Sequence, residues 1–307
     1  MTSQTCDRCD KNVFYYRRYS GERLCSYHFS QSIEEKVRRT IAKYKMLHHG
    51  EKVGVAVSGG KDSLSLLYIL SKILPEHDSE LFAITIDEGI KGYRNESLIN
   101  VKTVTEKLGI KTVYASYEEL YGFTQDEAMI RRKNRISSCA ICGTLRRRAI
   151  DSVASRLGLD ALATAHNTDD IIQTFLINFM NGDIRRIGWT SGSSESHVFS
   201  IRRIHPFIEI YEKEAALYAY VNELPIQSEH CPYMNEGIRS SIRAYLNTLE
   251  EEHPGIKYMM LKSVLAISAR MKSDSNSSAK CSKCGLPSTW PVCSACTIAT
   301  QIASTMF

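Results

Sequence analysis

The run VGVAV (53–57), followed at once by Ser58-Gly59-Gly60-Lys61-Asp62-Ser63 and then by LSLLYIL, constrains the fold more than any other feature of the chain. An unbroken apolar run rich in valine reads as a strand buried on both faces. The apolar segment opening after Asp62 reads as a helix over about 62–74. A strand feeding a helix through a glycine turn is the opening unit of a parallel sheet, and the alternation continues. LFAITI (81–86), TVYAS (112–116) and ALATA (161–165) are the next strands, separated by helices over about 95–108 and 140–157 and followed by one over 168–180. This pattern gives an α/β fold with a doubly wound parallel sheet. Such sheets bind ligands beyond the carboxyl ends of their strands, where this chain carries Ser58-Gly59-Gly60, Asp87 and His166-Asn167. Beyond residue 208 the pattern turns helical, over about 211–223, 238–252 and 256–270.

Gly59 and Gly60 leave room for backbone N–H groups to approach phosphate oxygens. Ser58 and Ser63 add hydroxyl donors, Lys61 adds a charge, and the following helix aims its positive end at the anion. A Walker A loop does not fit: counted from Gly54, its lysine falls on Gly60, and no Ser or Thr follows Lys61. Ser-Gly-Gly-Lys-Asp-Ser at a strand-to-helix turn instead resembles the PP-loop of the N-type ATP pyrophosphatases. Those enzymes cleave ATP between its α and β phosphates and transfer AMP to an oxygen. Asp62 together with Asp169 or Asp170 offers oxygen ligands for Mg²⁺, with N-capping of the adjacent helices as the competing use.

Ten cysteines fall into three groups. The N-terminus, MTSQTCDRCDK, has no apolar signal segment, so a reducing cytoplasm and metal or thiol chemistry are expected rather than disulfides. Cys6-x-x-Cys9 with Cys25-x-x-His28 makes one tetrahedral zinc site, and Cys281-x-x-Cys284 with Cys293-x-x-Cys296 makes a compact second one. These predict a zinc finger over 1–30, a connecting helix over 31–49 with Ile33, Val37, Ile41 and Tyr44 on its buried stripe, and a core over 50–271. A Ser-rich linker over 272–280 then separates off a ribbon over 281–307 as its own module. Cys139-x-x-Cys142 and the distant Cys231 remain, three thiols that suit an iron–sulfur cluster with one iron left open, or a redox pair.

The formal charge of +5 is modest, but residues 128–150 hold Arg131, Arg132, Lys133, Arg135, Arg146, Arg147 and Arg148 with no acid. A patch of this kind suits a phosphate backbone, and Arg185, Arg186, Arg202, Arg203, Arg239 and Arg243 extend it. The longest mostly apolar stretch, Ile171 to Met180, falls well short of the roughly 20 residues that span a bilayer, so no membrane association is expected.

Taken in order, the first zinc pattern, SGGKDS, IDEGIKGYR, CAICGTLRRR, ATAHNTDD, EHCPY, EGIRSSIRAYLNTLEEEHPGIKY and the terminal ribbon resemble the archaeal and eukaryotic tRNA 2-thiouridine synthetases, the group of TtuA and the cytosolic thiouridylase catalytic subunit. The resemblance spans essentially the whole chain. It implies that Cys139, Cys142 and Cys231 hold a [4Fe-4S] cluster whose unique iron receives sulfide. ATP would be bound by Ala56, Val57, Ser58, Gly59, Gly60, Lys61, Asp62, Ser63, Ile86, Arg146, Ala165 and Asp170, with Arg146 and Asp170 also acting in the reaction. The chain departs from the family pattern at Ala165, where Gly is expected before His-Asn, and at Ile171, where an acid is expected after Asp-Asp. The implied reaction adenylates a tRNA uridine at O2 and then installs sulfur at C2. Implied partners are tRNA, a sulfur donor (a ubiquitin-like thiocarboxylate carrier or free sulfide) and a second copy in a homodimer. Competing readings are an adenylating enzyme acting on an amine, such as a lysidine, GMP or NAD synthetase, and a non-enzymatic zinc protein that binds nucleic acid.

Overall fold

The computed structural model describes residues 5–132, 136–188, 193–194, 201–233, 238–271 and 279–304. Lys133, Arg135, the side chain of Arg185 and most of the Ser-rich linker lie outside that set.

The chain opens on an antiparallel hairpin, β1 (Tyr15–Arg17) and β2 (Glu22–Leu24), and enters α1 (Ser26–Lys43) through Cys25, whose Sγ accepts the N–H of His28 at 3.5 Å. The helix expected over 31–49 therefore starts five residues earlier, because a cysteine of the metal set also serves as its cap. Phe29, Ile33, Val37 and Ile41 form its buried face.

The core follows as β3 (Lys52–Ala56), α2 (Lys61–Ile73), β4 (Glu80–Asp87), α3 (Arg94–Leu108) and β5 (Lys111–Ser116). Two short helices, α4 (Tyr117–Tyr121) and α5 (Gln125–Arg131), lead into the long α6 (Ser138–Arg156). Then come β6 (Ala161–Ala163), α7 (Thr168–Met180), α8 (Ile184–Ile187), β7 (Ser193–Ser194) and β8 (Arg202–Ile204). Helices α9 (Glu212–Val221), α10 (Arg239–Glu252) and α11 (Ile256–Arg270) complete the core. The ribbon pairs β9 (Ala279–Lys280) with β10 (Pro287–Ser288) and ends in α12 (Ser294–Ala303).

The six-stranded sheet has the order β5-β4-β3-β6-β8-β7, parallel except for the edge strand β7. The chain builds outward from β3 through β4 to β5, then returns to the other side of β3 with β6 and β8. The order reverses between β3 and β6, which opens a crevice beyond their carboxyl ends. Strand β8 was not expected from the sequence, because Arg202 and Arg203 hide its apolar character. Both arginines are neutralised in place, by Glu51 and by Asp151 respectively.

Neither terminal module stands apart. Arg17 of the N-terminal hairpin places Nε 2.9 Å from the fully buried carboxylate of Glu214 in α9, and the Tyr19 hydroxyl donates to the same oxygen at 2.7 Å. The expectation that the ribbon is separate is corrected by its packing. Cys281, Cys293, Ala295 and Ile302 share one buried apolar cluster with Ile141, Leu145 and Ala149 of α6. Arg148 of α6 donates from Nε to Cys293 Sγ at 3.3 Å and from its NH1 to the Pro287 carbonyl at 3.1 Å.

Candidate active site

The loop after β3 is held by its own serines. The Ser58 N–H donates to Ser63 Oγ at 3.2 Å, and that hydroxyl donates to the Gly60 carbonyl at 3.0 Å. Gly59 has φ +86°, and a Cβ there would lie 2.3 Å from the Ser97 carbonyl oxygen of α3, so only glycine fits. No side chain caps α2 at Gly60. Its first-turn N–H groups are left for an anion, as a phosphate-binding helix N-terminus requires.

Beyond the loop lies a cavity of about 400 Å³, within the size range of small-molecule sites. Ala56, Val57, Ser58, Asp62, Ser63, Ile86, Arg146 and Ala165 line it. So do His166, expected at this end of the sheet, Arg147 and Arg203 of the basic patch, and Glu88, Thr164 and His205, which the sequence reading did not assign. Gly59, Gly60 and Lys61 complete the turn outside that lining, and Asp170 sits next to it.

The acids divide by role. Burial pushes the Asp62 carboxyl up to about 6; Lys61 opposes the shift, and Asp170 and Glu212 add to it. One Asp62 oxygen, Oδ1, is buried without a hydrogen-bond partner. The other is 3.0 Å from Lys61 Nζ, which also lies 3.3 Å from Glu212. A buried orphan oxygen with a second carboxylate nearby fits a divalent cation bound through oxygen. Asp170 forms a capping box with Asn167 and faces Arg239 at 3.7 Å. Asp169 turns the other way, pairing with the buried Lys257 ammonium and accepting the Glu212 N–H at 2.8 Å, so it is a strut rather than a metal ligand. Breaking a buried pair from one side costs about 3–5 kcal/mol. Asp169→Ala is therefore expected to lower the thermal midpoint by roughly 10 °C, read by differential scanning calorimetry.

The Thr164 hydroxyl lies 2.7 Å from Nδ1 of both His166 and His205. A single hydroxyl hydrogen can serve only one of these contacts, so at least one of the two rings must donate from Nδ1. Burial lowers the pKa of both, that of His205 to about 3, so both are neutral at neutral pH.

A relay of charges joins the phosphate loop to the cysteines. Arg94 donates to the carbonyls of Ser58 (2.7 Å) and Ile86 (2.6 Å), and its Nε lies 2.8 Å from the buried Glu88 carboxylate. Glu88 also faces Arg146 at 3.5 Å, one helical turn beyond Cys142 on α6. The Tyr117 hydroxyl donates to the Cys142 carbonyl at 2.7 Å, and Cys139 Sγ lies 3.6 Å from the Tyr233 carbonyl. Cys231 comes from a loop fastened at both ends. Gln227 donates to the Tyr93 carbonyl at 2.9 Å, Glu96 accepts the Ser228 N–H at 3.0 Å, and the Tyr233 hydroxyl donates to Asp126 at 2.8 Å. Burial raises the thiol pKa of Cys142 and Cys231, and each is also raised by the charge of another cysteine, Cys231 acting on Cys142 and Cys139 on Cys231. Both Glu88 and Arg94 lie in IDEGIKGYR. Their signal was position, since Glu88 directly follows the carboxyl end of a parallel strand.

Zinc at about 2.3 Å from each sulfur gives tetrahedral edges of roughly 3.8 Å. Cys9 and Cys25 are 3.7 Å apart, Cys25 and His28 Nδ1 are 3.5 Å apart, and Cys284 and Cys293 are 3.9 Å apart. Each terminal set of four packs its ligand atoms within 4.8 Å of one another, so both fit a single ion. Among the described residues the central trio forms no such compact set.

A family model described as a PP-loop domain matches residues 29–249. The chain is 37% identical over 304 residues to cytoplasmic tRNA 2-thiolation protein 1 of Laccaria bicolor, covering 97% of this chain and 85% of that protein. It is 33% identical to the tRNA 2-thiolation protein NcsA of Haloferax volcanii, covering 97% and 98% of the two. Among solved structures, the U34-tRNA thiolase NcsA from Methanococcus maripaludis with its [4Fe-4S] cluster is similar over 98% of this chain and 97% of that one, at 30% identity and a TM-score of 0.84. The chain thus belongs to the PP-loop family of tRNA 2-thiolation proteins.

Proposed function

We propose that this protein is a tRNA sulfurtransferase that converts a tRNA uridine, at position 34 as in the archaeal thiolase it resembles, to 2-thiouridine. The observation that carries the reading is the course of α6. It presents Arg146 to the nucleotide cavity one turn beyond Cys142, and Glu88 links that arginine to the phosphate loop through Arg94.

In the first step the uridine O2 attacks the α-phosphorus of ATP and the bond to pyrophosphate breaks. The glycine loop and the open end of α2 hold the departing phosphates. Arg146 neutralises charge building on the α-phosphate, and Asp62 with Asp170 holds Mg²⁺. The adenylated oxygen is now a leaving group. Sulfide sulfur adds at C2, the C2–O2 bond breaks, and AMP departs carrying that oxygen. Cys139, Cys142 and Cys231 would hold a [4Fe-4S] cluster, which supplies an iron able to bind that sulfur. The terminal sets would each hold one Zn²⁺, as the clustering of their ligand atoms supports. Sulfur arrives from a ubiquitin-like thiocarboxylate carrier or as free sulfide, and the working form is a homodimer. A cytoplasmic setting agrees with the naming of the eukaryotic relative, and no described helix is long and apolar enough to cross a membrane.

Anaerobic incubation of iron-loaded protein with tRNA, ATP, Mg²⁺ and sulfide is expected to yield 2-thiouridine by nucleoside mass spectrometry, with pyrophosphate released only when tRNA is present. Pyrophosphate release without any thiolated nucleoside would overturn the reading in favour of another adenylation.

A further inference from the structure

Three consecutive arginines on α6 fan out at about 100° per residue and meet different partners. Arg146 faces Glu88 at 3.5 Å, and Arg148 is bound to the ribbon through Cys293 and Pro287. Arg147 lines the nucleotide cavity, and no described carboxylate lies within ion-pair distance of it. The acid nearest in its surroundings, Asp151, is taken by Arg203.

Arg147 also sits among other cations. Desolvation in the cleft lowers its pKa, and the guanidiniums of Arg146, Arg186 and Arg203 lower it further. Arg186 is already paired with Asp183 at 3.2 Å. A side chain that packs against like charges without a protein partner is stabilised by an anion from outside.

Gly143 makes the placement possible. It lies inside α6, where glycine weakens a helix and no left-handed backbone calls for it. A Cβ at that position would lie 3.3 Å from the Arg147 NH1. The missing side chain lets the guanidinium fold back over the preceding turn of the helix.

We propose that Arg147, lying over Gly143, seats a phosphodiester of the RNA substrate beside the nucleotide being modified. The proposal rests on the tRNA-thiolation reading and adds the contact that holds the substrate in place. The anion is a phosphate, and two sources could supply it. ATP phosphates already have the glycine loop and the open end of α2, which follow β3. Of the cations grouped with Arg147, Arg146 shares α6 with it, while Arg186 and Arg203 come from α8 and β8, and β8 stands two strands away from β3 in the sheet. That side is left for the RNA.

The test is the affinity of the full-length, metal-loaded protein for tRNA, measured by fluorescence anisotropy across a salt series, for wild type, Arg147→Ala and Arg147→Lys. Arg147→Ala is expected to raise the tRNA Kd roughly tenfold at low salt and to flatten the slope of log K against log salt by about one. Arg147→Lys is expected to keep the slope. ATP affinity and iron content should match wild type for both variants. An unchanged slope for Arg147→Ala overturns the subsite. A loss confined to ATP affinity also overturns it, by assigning the phosphate to the nucleotide. Binding, not turnover, is the readout, so a wild type that fails to thiolate tRNA would count against the function alone.

Discussion

Replacing Cys231 by alanine is expected to abolish 2-thiouridine formation, by roughly a thousandfold or more, while ATP binding stays near the wild-type level. Two thiols on one helix cannot replace a third ligand that arrives from a separate loop. That loop is tied to Glu96, Tyr93 and Asp126 whether or not Cys231 keeps its sulfur. Loss of function should therefore come without loss of fold. Purified Cys231→Ala protein should contain its zinc but little iron, and its far-ultraviolet circular dichroism should match wild type. Full thiolation activity in this variant, or in Cys139→Ala or Cys142→Ala, would refute a sulfur-handling role for the trio.

Gly59→Ala should remove ATP binding by at least roughly a hundredfold. A left-handed backbone costs a non-glycine residue about 1–2 kcal/mol, and the added methyl would stand 2.3 Å from the Ser97 carbonyl. The loop must then move away from α3, and the serine hydrogen bonds that shape it are lost. Gly60→Ala is the control, because a Cβ there meets only Ser58 Oγ at 3.6 Å. It should keep the thermal midpoint of wild type, whereas Gly59→Ala should lower it by several degrees. Equal midpoints for the two variants, with ATP bound normally by both, would show that the approach of α3 does not shape the loop.

Much of this was legible in the sequence because the signals are local. Each terminal set of candidate metal ligands declares itself through pairs a few residues apart, and the valine run, glycine turn and helix around residue 58 occupy one contiguous stretch. Site features that depend on side chains meeting across the fold were not legible. Arg94 acts by reaching one carbonyl of the phosphate loop and one of β4, and Glu88 by receiving arginines from α3 and α6. The basic stretch read as one surface patch, but the helix sends Arg146 and Arg147 to the cavity and Arg148 to the ribbon. Asp169 and Asp170 look equivalent as letters. Only Lys257, 88 positions further along, separates the strut from the group beside the nucleotide. The Ser-rich linker suggested an independent ribbon because composition reports on the tether and not on where its far end docks.

Arg148 gives the ribbon a share in the chemistry. Its guanidinium donates to Cys293 Sγ, which becomes a thiolate once zinc is bound, so the hydrogen bond strengthens when the metal arrives. The same helix carries Cys139, Cys142, Arg146 and Arg147. Losing the metal would weaken that hold on α6 while leaving every reacting side chain of the helix present.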